Sequence, residues 1–125
     1  MAQIKIAEYV MTNDSNVLPT LEPSTVTVTT EDTVGDSTTT RILYCDETVL
    51  PTRMNFKDKR DLIEVKYIYA SSLTDGWQMF MGCTNLKNIT MLATDISASN
   101  CLENWVSNVA VSGESYKAPT MTTLP

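Results

Sequence analysis

The chain has 125 residues, of which 42% are hydrophobic and 19% are charged. This composition is typical of a globular protein with one domain or two small ones, and it excludes global disorder. Nine basic and fifteen acidic residues give a net charge of −6, which argues against a nucleic-acid partner because phosphate binding needs a surplus of positive charge. No run approaches the ~18–20 apolar residues of a membrane span, and the N-terminus lacks the pattern of a signal peptide.

In chain order, the first predicted element is a short strand in which Ile4, Ile6 and Val10 fall on even positions, followed by a polar turn at residues 12–16. Pro19 and Pro23 bracket an extended connector. Valine and threonine then alternate over residues 25–29, the pattern of a half-buried strand. Turn residues at 33–37 and a return strand at 39–44 predict a β-hairpin over residues 24–45.

From Leu62 onward the pattern changes to a repeat. Leu62, Val65 and Ile68 are evenly spaced, and Leu86, Ile89 and Leu92 reproduce that spacing at one constant offset. Three further pairs recur at nearly the same offset: Trp77 with Leu102, Phe80 with Trp105, and Met81 with Val106. The period, about 24–25 residues, lies within the range of leucine-rich repeats, in which each unit contributes a short strand plus a helix or a 3₁₀ turn.

Two short helices are predicted within these repeats. The first carries Trp77, Phe80 and Met81, and Gly82 is placed to end it in a left-handed conformation. The second follows Asn100, with Glu103 in the position of a capping box, and ends at residues 112–113. The fold class predicted from the sequence is therefore α+β: a Thr-rich β segment, hairpin or extended, followed by a short leucine-rich-repeat-like cap with two short helices.

The sequence offers little for catalysis. It contains no histidine, so Ser-His-Asp and Cys-His catalysis and most zinc sites are unavailable. Cys45, Cys83 and Cys101 are odd in number and widely spaced, which favours reduced, buried thiols, with one disulfide plus a free thiol as the alternative. The basic and acidic residues of 57–61 interleave, as on a solvated turn. We expect no enzymatic activity, no cofactor and no metal site.

Residues 77–86, Trp-Gln-Met-Phe-Met-Gly-Cys-Thr-Asn-Leu, carry a recognisable phrase: a Met-Phe pair, one variable residue, Gly-Cys, two polar residues and Leu. This phrase resembles the BspA-like leucine-rich repeats, which occur in surface proteins of Bacteroidales bacteria and in virion proteins of the phages that infect them, including the crAss-like phages. Residues 104–110, followed by Gly113 and Tyr116, resemble the terminal unit of such arrays. The resemblance covers roughly residues 62–120.

The resemblance implies a protein for display or assembly. Family members usually have many repeats, whereas this chain has one full unit and one terminal unit, and an isolated pair leaves open apolar ends that need a neighbour. We therefore expect a non-enzymatic structural component of a bacteriophage virion surface, such as a head-fibre or capsid-decoration subunit, made in the host cytoplasm. Expected partners are other virion structural proteins, further copies of the chain and, through the repeat face, a host-surface glycan. The alternative is a bacterial cell-surface adhesin or a carbohydrate-binding module.

Two regions follow from this interpretation: a β-rich assembly or docking segment, residues 1–61, and a leucine-rich-repeat-like cap, residues 62–125. The predicted repeat core consists of Leu62, Val65, Ile68, Trp77, Phe80, Cys83, Leu86, Ile89, Leu92, Leu102, Trp105 and Val106. The predicted interface consists of Val26, Val28, Ile42 and Tyr44, because an exposed Thr-rich strand can pair edge to edge with another chain. Plain solvent exposure of the threonines is the alternative.

Overall fold

The computed structural model describes residues 2–69, 72–73, 79–80, 82–83, 85–92 and 120–124. These residues form eight strands: β1 (Gln3–Thr12), β2 (Thr20–Glu22), β3 (Val28–Val34), β4 (Thr38–Asp46), β5 (Arg53–Asn55), β6 (Leu62–Ile68), β7 (Asn88–Leu92) and β8 (Thr120–Leu124). Six of them form one sheet in the order β3-β4-β1-β6-β7-β8, and β2 and β5 form a separate two-stranded ribbon. In this part of the chain no helix is long and apolar enough to cross a membrane.

The predicted α+β class is wrong for the described residues, which are all-β and contain no helix. The first predicted helix fails at Met79 and Phe80, which lie in a turn. In an α-helix the Met79 carbonyl would accept from the Cys83 N–H, but here it accepts from the Phe56 N–H at 2.7 Å. The Cys83 N–H donates to the Phe80 carbonyl at 3.1 Å instead, so a tertiary hydrogen bond has replaced the helical one. The second predicted helix lies outside the described residues.

A β-hairpin occupies the region in which one was predicted. Strands β3 and β4 pair antiparallel, with Val28 opposite Cys45 and Val34 opposite Thr39. The first strand begins at Val28 and not at Thr25 as predicted, because residues 23–25 turn and the Val26 N–H donates to the Pro23 carbonyl at 3.0 Å. The hairpin closes where the Gly35 N–H donates to the Thr38 carbonyl at 2.8 Å.

Three β-bulges explain apolar spacings that a regular strand would not permit. Ile6 is an extra residue in β1 opposite β4, and both Ile6 and Ala7 are fully buried. In β6 the register with β1 skips Lys66 and again skips Ile63. Each bulge resets the alternation of side chains between the two faces of the sheet. Leu62, Val65 and Ile68 occupy every third position, yet all of them face the core with no exposed surface.

The repeat offset reappears as a strand register. Strand β7 pairs parallel to β6, with Glu64 opposite Asn88 and Val65 opposite Ile89, so equivalent residues of successive repeats lie side by side. The Lys87 N–H also donates to the Ile63 carbonyl at 2.8 Å, again across one repeat offset. Parallel pairing at one repeat offset is the geometry expected when each repeat contributes one strand to a stack. Strand β8 also pairs parallel with β7, but with Asn88 opposite Thr120 it does not follow the repeat offset.

One hydrophobic core lies against the face of the sheet that carries Leu43, Cys45 and Val65. The ribbon β2–β5 adds Met54 to this core, with Leu21 packed against it. Strand β1 belongs to the predicted docking segment, residues 1–61. It lies between β4 of the same segment and β6 of the predicted cap, residues 62–125. The two predicted regions therefore share a sheet and a core.

Candidate functional site

Two features of the fold bear on function: the junction at which the repeat phrase meets the N-terminal sheet, and the free edge of that sheet at β3. At the junction, Phe56 lies between two aromatic rings. Its ring stacks on Phe80 at a centroid distance of 5.7 Å and an interplanar angle of 14°, and meets Tyr9 edge-on at 5.2 Å and 78°. All three side chains are fully buried. The aromatic contacts join β1, the loop after β5 and the repeat phrase.

The Gly-Cys step of the repeat phrase completes the junction. The Cys83 thiol donates to the Phe56 carbonyl at 3.0 Å, and burial raises the pKa of this thiol to about 12. Cys45 is likewise free and buried, and burial raises its pKa as well. These two thiols are therefore packing groups and not nucleophiles, since the reactive species is the thiolate. Cys101 lies outside the described residues.

Gly82 adopts the left-handed conformation that the sequence predicts, with φ of 80°, although Met79 and Phe80 lie in a turn and not in a helix. A Cβ placed on Gly82 would contact the Asp58 carboxylate and lie 3.2 Å from the Asp58 Cα. Glycine is thus required at position 82 for two reasons: the left-handed backbone conformation, and the close approach of the loop after β5.

The structure places half of the predicted repeat core together. The buried members are Leu62, Val65, Ile68, Phe80, Cys83 and Leu86. Ile89 and Leu92 lie on β7. The remaining predicted core residues, Trp77, Leu102, Trp105 and Val106, lie outside the described residues.

Strand β3 forms a free edge of the six-stranded sheet. Among the strands that the structure describes, its backbone pairs with β4 alone, six of its seven residues are exposed, and Val34 has 71% of its surface exposed. The register with β4 contains no bulge, and β3 contains no proline. Natural edge strands commonly carry bulges or prolines to prevent pairing with other chains. Within β3 itself, the charges of Glu31 and Asp32 are the protective features.

The hairpin closure determines which backbone groups of β3 are available. Residues opposite one another in an antiparallel pair alternate between hydrogen-bonded and non-hydrogen-bonded positions. Because Gly35 and Thr38 form a hydrogen-bonded position, the N–H and carbonyl groups of Val28, Thr30, Asp32 and Val34 point away from β4. Four residues thus present donors and acceptors at the free edge.

A buried arginine holds this edge in place. The Arg41 guanidinium donates from Nε and Nη2 to the two carboxylate oxygens of Asp32, at 2.8 and 2.9 Å. Its Nη1 donates to Asn16 Oδ1 at 2.6 Å and to the Val17 carbonyl at 3.2 Å. Arg41 has only 8% of its surface exposed. The hydrogen bonds from Arg41 lower the pKa of Asp32, and those to Asp32 raise the pKa of Arg41.

No motif in the sequence pointed to this pair, although the sequence contains a signal for it. Asp32 and Arg41 are equally distant from the Asp36-Ser37 loop, and residues placed in this way face each other across a two-residue hairpin. The Tyr9 hydroxyl also donates to the Val17 carbonyl, and burial raises the pKa of this hydroxyl above its ordinary value. Arg41 and Tyr9 together hold the loop after β1 against the sheet.

The four predicted interface residues lie on two faces. Val26 and Val28 are partly buried against the core, whereas Ile42 and Tyr44 alternate with the buried residues of β4 and so point to the opposite face. There Tyr44 is opposite Lys5, whose ammonium group lies 4.9 Å from the Tyr67 ring centroid. The structure therefore does not bring the four side chains together.

Comparisons with known proteins identify no relative: no protein-family model, curated protein or solved structure matches the chain. Within the described residues no group of three or more His, Cys, Asp or Glu side chains is arranged to hold a metal ion. The geometry of the sheet edge and of the repeat junction is therefore the basis for a functional proposal.

Proposed function

We propose that this chain is a non-enzymatic structural subunit of a bacteriophage virion surface, which assembles with another virion protein by strand addition at β3. The observation that carries the proposal is the unbulged edge of β3, whose backbone pairs with β4 alone among the described strands. An edge of this kind gains main-chain hydrogen bonds when an extended segment of another chain adds to it. The virion setting is supported by the repeat phrase at residues 77–86 and by the parallel register of β6 and β7, which follows the repeat.

The charge on β3 favours a particular partner. Asp32 is paired with Arg41, but Glu31 is exposed at the centre of the strand. If β3 paired antiparallel with β3 of a second copy about its centre, two Glu31 side chains would face each other, and like charges directly opposite are destabilising. A strand of a different protein that carries lysine or arginine at this position fits better. Homo-oligomers remain a prediction that the following test also addresses.

The test is sedimentation velocity of the full chain, alone and mixed with the products of neighbouring genes. We expect a complex with one of those products, and we expect capsid or tail genes among the neighbours. Thr30→Pro should abolish the complex while leaving the chain folded, because it removes a donor that points away from β4 and proline is tolerated on edge strands. The matched variant Thr33→Pro removes a donor that bonds β4 and should destabilise the hairpin itself.

Two results would contradict the proposal. One is a chain that stays monomeric in every mixture; the other is a complex that Thr30→Pro leaves intact, since strand addition at β3 would then not be the mode of assembly. Circular dichroism on both proline variants establishes which of them retain the native sheet.

A further inference from the structure

The ribbon β2–β5 separates apolar from polar side chains. Thr20 lies opposite Asn55, Leu21 opposite Met54 and Glu22 opposite Arg53. Met54 is fully buried and Leu21 packs against the core. Because directly opposite residues share a face and successive residues alternate, the other four side chains, Thr20, Glu22, Arg53 and Asn55, share the face turned away from the core.

A cavity of about 380 Å³ lies on this polar face, lined by Thr20, Glu22, Arg53, Asn55, Lys57 and Lys59. Among the described residues, three cations and one carboxylate therefore surround it, in a chain whose net charge is −6. The sequence pattern at 57–61 predicts a solvated turn with self-compensating charges. In the structure, however, Lys57 and Lys59 line the cavity, whereas the carboxylate of Asp58 lies beside Gly82 and is not part of the lining.

In the part of the chain that the structure describes, the Arg53 guanidinium has an unsatisfied hydrogen-bond donor. Its Nε atom is shielded from solvent and has no hydrogen-bond partner among the described residues. Its Nη1 lies 3.9 Å from Glu22 Oε1, which is an ion-pair distance but too long for a hydrogen bond. A shielded donor without a partner is energetically unfavourable. An oxyanion that draws the guanidinium towards it would supply the missing acceptor, since Nε and Nη form a fork that matches two oxygens of one anion.

We propose that this cavity is an oxyanion-binding site, in which Arg53, Lys57 and Lys59 bind a carboxylate or phosphate group and Thr20 and Asn55 hydrogen-bond its neighbouring hydroxyl groups. The ligand class is a small hydroxylated acid, such as an acidic sugar unit, or the free anion itself. The site lies on β2–β5 and not on β3, so it is independent of the proposed strand addition.

The experiment is a titration of the ¹⁵N-labelled full chain, followed by NMR at low ionic strength, with inorganic phosphate, glucuronate or glucose. Shifts at residues 20–22 and 53–59 on addition of phosphate or glucuronate support the site. Binding of glucuronate alone identifies an acidic sugar, and binding of phosphate alone identifies a free anion. If neither anion shifts these residues, or if glucose shifts them equally, the proposal is wrong.

Variants separate a specific site from general charge attraction. Arg53→Gln and Lys59→Gln should each weaken binding by about tenfold, the size expected for one lost charge-assisted hydrogen bond. Arg60→Gln removes the same charge from the same turn but outside the cavity lining and should change binding by less than about twofold. Equal weakening by Arg60→Gln would overturn the proposal.

Glu22→Gln gives the sharpest result, because the expected change in anion affinity has the opposite sign to that of the other variants. It removes the carboxylate that the described residues contribute to the lining, so it should tighten anion binding. If Glu22 acted only by orienting Arg53, replacing Glu22 would weaken anion binding instead. Because the Glu22 side chain has 59% of its surface exposed, this variant keeps the proposal testable even if Arg53→Gln fails to fold.

Discussion

The antiparallel end of the sheet, β3-β4-β1, and its parallel end, β6-β7-β8, obtain their registers by different means. At the antiparallel end a short loop closes the hairpin at Gly35, and Arg41 ties β3, β4 and the loop after β1 together. At the parallel end the register of β6 with β7 equals the repeat offset, and the packing of Phe56, Phe80 and Cys83 adds to the pairing of β6 with β1 in joining this end to the rest of the fold. A polar network thus specifies one end and apolar packing the other.

Phe56→Ala should have the largest effect, because Phe56 packs between Tyr9 of β1 and Phe80 of the repeat phrase. It contacts Tyr9 and Phe80 and is fully buried, so we expect a loss of about 3–5 kcal/mol in the free energy of unfolding. Urea denaturation measures this loss. Phe56→Leu should retain much of the stability, and equal losses in the two variants would mean that ring packing is not what joins the ends.

Arg41→Gln should come next and should act mainly at the antiparallel end. It removes the two hydrogen bonds from the guanidinium to the Asp32 carboxylate, and it leaves Asp32 and Asn16 without their donor. We expect a loss of about 2–3 kcal/mol, below that of a fully buried ion pair because Asp32 is partly exposed. Hydrogen exchange should accelerate in β3 and β4 more than in β6. Uniform acceleration across the sheet would contradict the division between the two ends.

Gly82→Ala tests the parallel end without removing any apolar surface. Alanine is strained at a φ of 80° and its Cβ would meet Asp58, so thermal or urea unfolding should show a loss of about 1–2 kcal/mol. Adding Asp58→Gly should restore part of the stability, because the contact is removed and glycine suits the φ of 63° at position 58. A purely additive double mutant would show that the close approach is not responsible.

The smallest expected effect is the pH dependence due to Asp32. Its pKa is lower in the folded state because Arg41 hydrogen-bonds the carboxylate, so the unfolded state binds more protons as the pH falls. The stabilisation is complete above the ordinary pKa of aspartate, about 4, and is lost as the pH falls through the folded value. We expect no more than about 1 kcal/mol. Asp32→Asn should remove this component from the stability profile, and an unchanged profile would contradict it.

The sequence predicted the strand positions better than the chain conformation between them. Gly35 and the return strand at 39–44 located the hairpin, since turn chemistry is local, whereas the alternating valines and threonines of residues 25–29 placed its first strand too early. The helix predicted at residues 77–81 rested on local spacing alone. It failed at Met79, whose carbonyl accepts from Phe56, a residue in the distant loop after β5, and no local pattern encodes such a partner.

The Asp32–Arg41 pair and the cavity on β2–β5 also differ in how far local sequence reveals them. Asp32 and Arg41 could have been paired from their equal distance to the turn. The cavity on β2–β5 could not, because the short strands Thr20–Glu22 and Arg53–Asn55 lie far apart in the chain and offer too few residues for alternation to reveal them. Charge order along the chain was also misleading there, because adjacent side chains such as Lys57 and Asp58 point to different surroundings.

By itself the sequence determined the repeat offset, the hairpin around Gly35 and the left-handed glycine at position 82. Each depends on composition and spacing within a short stretch or between equivalent stretches. Only the tertiary structure decided that the Met-Phe step is a turn, that bulges bring Leu62, Val65 and Ile68 to one face, and that Arg53, Lys57 and Lys59 surround a cavity. Those outcomes depend on hydrogen bonds and packing between residues far apart in the chain, whose free energies outweigh the local preference for a helix.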